Sequence, residues 1–172
     1  MLNEKNKSVC FTGHRRANIS IATHSLLLCQ LKKLINDGYC DFYSGGAVGW
    51  DTICERAIVD LKAEGFEIRL HLILPCNFEE QTRGWSEDEK QEFIRIQSCA
   101  DSIEYISEHY SDSCMKQRNQ KLVDNADMAI CYFDARRTRS GTGQTVRMAE
   151  KKGMRIWNFF SHKTKPIRLS PN

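Results

Sequence analysis

The sequence predicts an α/β domain in three layers, a mainly parallel sheet of about six strands with helices on both faces. Three observations carry that expectation. Short apolar runs alternate with segments of helical periodicity along the chain. Small-residue turns lead from strands straight into helices at Ser44 to Asp51 and again at Ser140 to Thr145. The 172 residues suffice for one core, and no internal linker or low-complexity segment divides them.

Ser8 to Phe11 is a short apolar run ending at Thr12-Gly13-His14-Arg15-Arg16, the pattern of a buried first strand feeding a polar loop. From Ile21 to Asp37 the apolar residues Leu27, Leu28, Leu31, Leu34 and Ile35 recur at helical spacing, and Gly38 closes the segment as a C-cap glycine does. Asp41-Phe42-Tyr43 ends strand two, and the glycine turn then opens a helix carrying Ile53, Ala57, Ile58 and Leu61 on one face. Ile68 to Leu74 is strand three, stopped by Pro75. Asn77 to Trp85 reads as irregular. Ser86 and Glu89 form a capping box ahead of Phe93, Ile94 and Ile96. Strand four is Ser102 to Ile106, a helix runs from Ser113 to Ala126, strand five is Met128 to Phe133, a last helix ends at Gly153, and strand six is Arg155 to Phe160. Residues 1–160 form the expected domain, and Ser161 to Asn172 is a polar tail left without structure.

Hydrophobic residues at 41% and charged residues at 27% are ordinary for a soluble globular chain. The net charge of +3 sets 25 basic side chains against 22 acidic ones, a balance that argues against nucleic acid as a partner. The eight cysteines show no C-x-x-C spacing and sit mostly among apolar residues, which points to free thiols in a reducing compartment and to no metal site. The polar N-terminus has no signal-peptide core and no stretch is long enough to span a bilayer, so a cytoplasmic protein with no membrane contact is expected.

In a parallel sheet of this kind, ligands bind beyond the carboxyl ends of the strands, near the point where strand order reverses. The turn Ser44-Gly45-Gly46-Ala47-Val48-Gly49-Trp50-Asp51 brings bare backbone N–H groups and a helix N-terminus to one point, which suits a phosphate, and equally suits a plain capped helix. The turn Ser140-Gly141-Thr142-Gly143-Gln144-Thr145 offers a second such point, and two anion sites on one edge suit a ligand with a phosphate and another polar group. Arg15 and Arg118 are candidates for a bidentate grip on phosphate, or else solvated charges. Asp51 is a candidate for ribose hydroxyls, with a helix-start role as its rival. His14 is a candidate donor or acid, and Asn119 and Asp134 carry the same ambiguity. Trp85 covers a base or plugs the core edge. Arg136, Arg137 and Arg139 mark a flap or an acidic partner, or are simply solvated. Cys76 has no histidine nearby in sequence, so nucleophilic catalysis finds little support.

In order and spacing, Thr12-Gly13-His14-Arg15, Gly45 to Asp51, Leu74-Pro75-Cys76, Gln81 with Trp85-Ser86, Cys114-Met115 with Arg118-Asn119, Leu122-Val123-Asp124, and Gly141-Thr142 with Thr145 resemble one family. It is the YpsA-like branch of the SLOG superfamily, the Rossmann-like group that includes the Lonely Guy phosphoribohydrolases and the DNA-processing protein DprA. The resemblance covers Val9 to Phe160. It implies a single Rossmann-like domain in a bacterial or phage setting. It also implies a pocket for a nucleotide-derived ligand, ADP-ribose or NAD-related, with no other cofactor required. By position, Gly45, Gly46, Gly49 and Asp51 match the first glycine motif, Thr12 to Arg15 the opening motif, and Arg118 and Asn119 the motif before strand five. The Lonely Guy enzymes carry a P-G-G-x-G-T-x-x-E signature whose glutamate serves N-glycosidic hydrolysis. The corresponding Arg139 to Val146 has no glutamate at that place, which counts against that reaction.

The first reading is therefore a domain that binds or senses a nucleotide-derived small molecule. The second is an enzyme cleaving a nucleotide at its glycosidic bond, with Asp51 and His14 for acid and base work. The third is a DprA-like binder of single-stranded DNA, against which the near-neutral charge speaks. Apolar faces on the outer helices leave room for a homodimer.

Overall fold

The centre of the sheet is β1 (Lys7–Gly13), whose Val9, Cys10 and Phe11 are fully buried because both of its faces are covered. The computed structural model describes residues 6–160 and 167–168. From β1 the chain winds outward through α1 (Ile21–Asn36), β2 (Tyr39–Ser44), α2 (Trp50–Ala63), β3 (Arg69–Leu74), the one-turn α3 (Phe78–Gln81), α4 (Glu87–Cys99) and β4 (Ser102–Tyr105). It then returns through α5 (Cys114–Asn125) to β5 (Met128–Tyr132) on the other side of β1, and continues through α6 (Gly141–Lys151) to β6 (Arg155–Asn158). The strand order is β4-β3-β2-β1-β5-β6, all parallel, and β7 (Ile167–Arg168) adds an antiparallel edge beside β6.

Alternation along β1 divides the core into two. Val9 and Phe11 face a cluster with Leu27 and Leu31 of α1, Ile58 and Leu61 of α2, and Phe93 and Ile96 of α4. Cys10 faces the opposite cluster, with Leu122 and Val123 of α5 and Val146 and Ala149 of α6. The helices thus lie on opposite faces before and after the return through α5, as right-handed crossovers require when the direction of winding reverses. Each fully buried Leu or Phe contributes roughly 1.5–3 kcal/mol.

The helix ends follow the sequence signals. Ser20 accepts from the Thr23 N–H to cap α1, and Ser86 with Glu89 forms the expected reciprocal box on α4. Two segments differ from expectation. Within Asn77 to Trp85, Asn77 accepts from the Glu80 N–H and starts α3, a turn too short to show any periodicity. Within the tail, Ile167–Arg168 pairs with β6 and brings the sheet to seven strands, while the rest of residues 161–172 lies outside the described residues. The two expected strands ending at Ile106 and Phe160 are also shorter, ending at Tyr105 and Asn158. Among the described residues no helix is long and apolar enough to cross a membrane.

Candidate functional site

Strand order reverses between β1 and β5, and the segments leaving their carboxyl ends diverge there. The His14 N–H donates to the Tyr132 carbonyl (3.2 Å), and the Asp134 N–H donates to His14 Nε2 (3.0 Å). That second bond makes Nε2 the acceptor of a neutral ring and leaves Nδ1–H as its donor. Burial, followed by the Arg137 charge, lowers the His14 pKa from its ordinary value, so the ring is neutral at physiological pH. Asp134 itself is engaged by Arg136 (2.8 Å), which holds its carboxyl down at about 2.

The first glycine turn folds against this edge with no room to spare. Gly49 has φ 91° and a side chain there would meet the Arg15 carbonyl oxygen at 2.2 Å, so both its conformation and its contact exclude larger residues. The next N–H, of Trp50, donates to the His14 carbonyl (3.3 Å), which fixes the N-terminus of α2 beside the end of β1. At Gly45 a Cβ would fall 1.5 Å from Arg118 Nη1. The close approach lets Arg118, reaching over from α5, donate to the Gly45 carbonyl (2.7 Å) while almost wholly buried.

Under the turn lies a buried ionisable group. Asp51 accepts from the Ala47 N–H (3.4 Å) and stands 4.0 Å from Arg118 Nη1, too far for a close ion pair. Burial outweighs the arginine and raises the Asp51 pKa to about 6. Asp51 Oδ1 and Arg118 Nε are both buried without a hydrogen-bond partner. Glu55, one turn further along α2, accepts from the Ser44 hydroxyl (2.5 Å) and the Gly46 N–H (3.2 Å). Burial, then the charge of Asp51, push its pKa up to about 8, so it keeps its proton at neutral pH.

These elements enclose a cavity of about 440 Å³. Of the residues singled out from sequence, Thr12, Gly13, His14, Arg15, Asp51, Arg118, Asn119, Gly141 and Thr142 line it. Both small-residue turns reach it, the first through Ala47 and Asp51 and the second through Ser140 to Thr142. Ser44, Gly46, Gly49, Asp134 and Thr145 stand behind the wall, and Gly45 lines a smaller depression beside the cavity. Thr145, for instance, turns its hydroxyl to the Gly141 carbonyl of its own helix (3.0 Å). Ser140 caps α6 by accepting from the Gly143 N–H (3.0 Å), and Asn119 donates to Gln144 (3.3 Å), joining α5 to α6 across the cavity.

Sequence reasoning left Arg16 and Glu55 out of the site, and named Arg137 and Gln144 only within the three-arginine loop and the second turn. Arg16 and Gln144 also line the cavity, Arg137 of the three-arginine loop does so while Arg136 is tied to Asp134, and Glu55 supports the turn from below. The available signal for Glu55 was a carboxylate one helical turn after Asp51, on the face that also buries Cys54 and Ile58. Trp85 packs on Phe93 (5.4 Å between rings) at the core edge and also borders a smaller depression beside the main cavity. The lining of the main cavity thus holds four arginines against one carboxylate, which itself has a raised pKa.

A structure of DNA processing protein A from Helicobacter pylori, described for its single-stranded DNA binding mode, superposes with a TM-score of 0.59 at 19% identity. The match covers 89% of this chain but only 65% of that one. The molybdenum cofactor carrier protein MCP from Chlamydomonas reinhardtii gives a TM-score of 0.54 at 12% identity, over 90% of this chain and 76% of that one. At such identities the likeness is one of fold. Among sequences, the SPbeta prophage-derived protein YoqJ of Bacillus subtilis (strain 168) is 27% identical, over 76% of this chain and 83% of that protein. A UPF0398 protein of Bacillus thuringiensis (strain Al Hakam) is 26% identical, over 77% and 71% respectively. The family model YpsA, described as the YspA SLOG family, matches residues 5–162, and the chain accordingly belongs to the YpsA family of SLOG proteins.

Proposed function

We propose that this domain binds a phosphate-bearing, nucleotide-derived small molecule of the ADP-ribose or NAD-related class, as a binding or sensing module. The observation that carries the reading is the charge of the cavity: Arg15, Arg16, Arg118 and Arg137 surround a space whose lining, among the described residues, holds a single carboxyl group, that of Asp51. The first turns of α2 and α6 add backbone N–H groups and helix dipole to the same space. One such helix end contributes about 0.3–1 kcal/mol when exposed and up to about 2 when partly buried. Micromolar affinity, about 8 kcal/mol, therefore needs helix ends and arginines acting together.

Thermal-shift titration with ribose 5-phosphate, nucleoside mono- and diphosphates, NAD and ADP-ribose tests the reading. A ligand at one hundred times its Kd stabilises by roughly 2.7 kcal/mol, which for a chain of this size raises Tm by roughly 5–11 °C. Arg15 and Arg137 are exposed on the rim, so the double variant Arg15→Glu/Arg137→Glu keeps the fold and is expected to lose the shift. A full shift in that variant, or none with any compound in wild type, contradicts the proposal.

A second reading, turnover of the ligand at its N-glycosidic bond, draws support from Asp51, a buried carboxyl on the cavity whose pKa near 6 suits acid and base work. Free base released from a nucleoside monophosphate by wild type, and not by Asp51→Asn, selects it. The similarity of fold to DNA processing protein A keeps single-stranded DNA among the ligands to be titrated. Affinity for an oligonucleotide that falls steeply with salt favours that partner over a small molecule.

A further inference from the structure

We infer that the site is bipartite, and that the depression beside the main cavity is a pocket for a nucleobase bearing an exocyclic amino group of the adenine type. The inference rests on the small-molecule reading above and specifies its ligand. The depression has a volume of about 160 Å³ and shares Arg15, Ala47, Met115 and Arg118 with the main cavity, so one molecule can run from one into the other. Counted in water-sized positions of roughly 10–15 Å³ each, that space is comparable to the heavy atoms of one purine.

Its walls have the composition of a base pocket. Trp85 and Tyr110 border it, offering flat surfaces to a ring. The polar group that discriminates is Gln81. Its Nε2 donates to the Gly46 carbonyl (3.0 Å), which fixes the orientation of the amide, since the carbonyl can only accept. Gln81 Oε1 is thereby left as a buried acceptor with no partner. A buried acceptor without a donor is costly, and a ligand amino group supplies the missing N–H. A base with a carbonyl oxygen at that place brings two acceptors together instead. The acid in the wall, Glu80, is already occupied, accepting from the Tyr110 N–H and facing His109 (2.8 Å), so it does not compete for the amino group. In this arrangement the base lies in the side pocket, the ribose passes Arg118 and Asp51, and the phosphates extend toward Arg137 and the N-terminus of α6.

Calorimetric titration of the full chain with AMP, IMP and ribose 5-phosphate tests the inference. AMP is expected to bind at least tenfold more tightly than IMP, because the site's acceptor is paired by one and opposed by the other. In Gln81→Met the AMP to IMP ratio falls toward one while ribose 5-phosphate binding is retained. Tyr110→Ala, an exposed position, weakens AMP and leaves ribose 5-phosphate unchanged. Equal binding of AMP and IMP by wild type, with ribose 5-phosphate bound, overturns the base pocket and leaves the phosphate site standing. Binding of none of the three overturns both.

Discussion

Glu55 shows most clearly how a single residue sets the character of this site. Its protonated carboxyl sits where a carboxylate would be unsupported, since only one of its oxygens is hydrogen-bonded, to Ser44 and Gly46. Its pKa is raised from 4.5 to about 8 in the folded chain. The folded state therefore binds a proton that the unfolded chain has already lost, and stability from this group is present below pH 4.5 and is lost as pH rises toward 8. Asp51, raised from 3.8 to about 6, adds loss of the same sign at lower pH. Glu55→Gln mimics the protonated form. In urea unfolding followed from pH 5 to pH 9, that variant is expected to gain on wild type as pH rises, by up to about 1.4 kcal/mol per pH unit for one proton. A stability difference, variant minus wild type, that stays constant or falls across that range shows that Glu55 is ionised in the fold. The sequence marked Asp51 and passed over Glu55, because a carboxylate on a helix reads as solvated until burial is known.

Elements were legible where local chemistry decides them. The capping box of Ser86 and Glu89, the C-terminal Gly38 and the two small-residue turns are each complete within a few residues, and each takes its expected place. The one-turn α3 and the two-residue β7 were not legible, because elements that short carry no period and depend on neighbours distant in sequence. Two serine caps separate stability from function at this scale. Ser86→Ala and Ser140→Ala should each cost about 0.5–2 kcal/mol in chemical denaturation, as removal of an N-cap does. Ser86 caps α4 away from the main cavity and its variant should bind ligand as wild type does, whereas Ser140 both caps α6 and lines the cavity, so its variant should bind severalfold more weakly. Equal ligand affinity in the two variants would remove the α6 N-terminus from the site.

At the level of the whole molecule, the alternation of strands and helices revealed a parallel sheet but not its order. Strands such as Val9-Cys10-Phe11 and Met128-Ala129-Ile130-Cys131, buried on both faces, look alike in sequence whatever lies beside them. The placement of β5 against β1 is what makes a crevice, and it brings Arg118 and Arg137, well over a hundred residues into the chain, to Arg15 and Asp51 near its start. The near-neutral net charge gave no hint of this concentration of arginine, because a sum over the chain says nothing about where the charges meet. The same fact weakens the charge argument against nucleic acid, which only the salt dependence of binding settles. A crystal structure of the protein grown with adenosine diphosphate is the most direct measurement. The phosphates should lie within hydrogen-bonding distance of Arg137 and the Gly141 and Thr142 N–H groups, in the crevice between β1 and β5; an empty crevice at saturating ligand, or the nucleotide seated elsewhere on the surface, would contradict it.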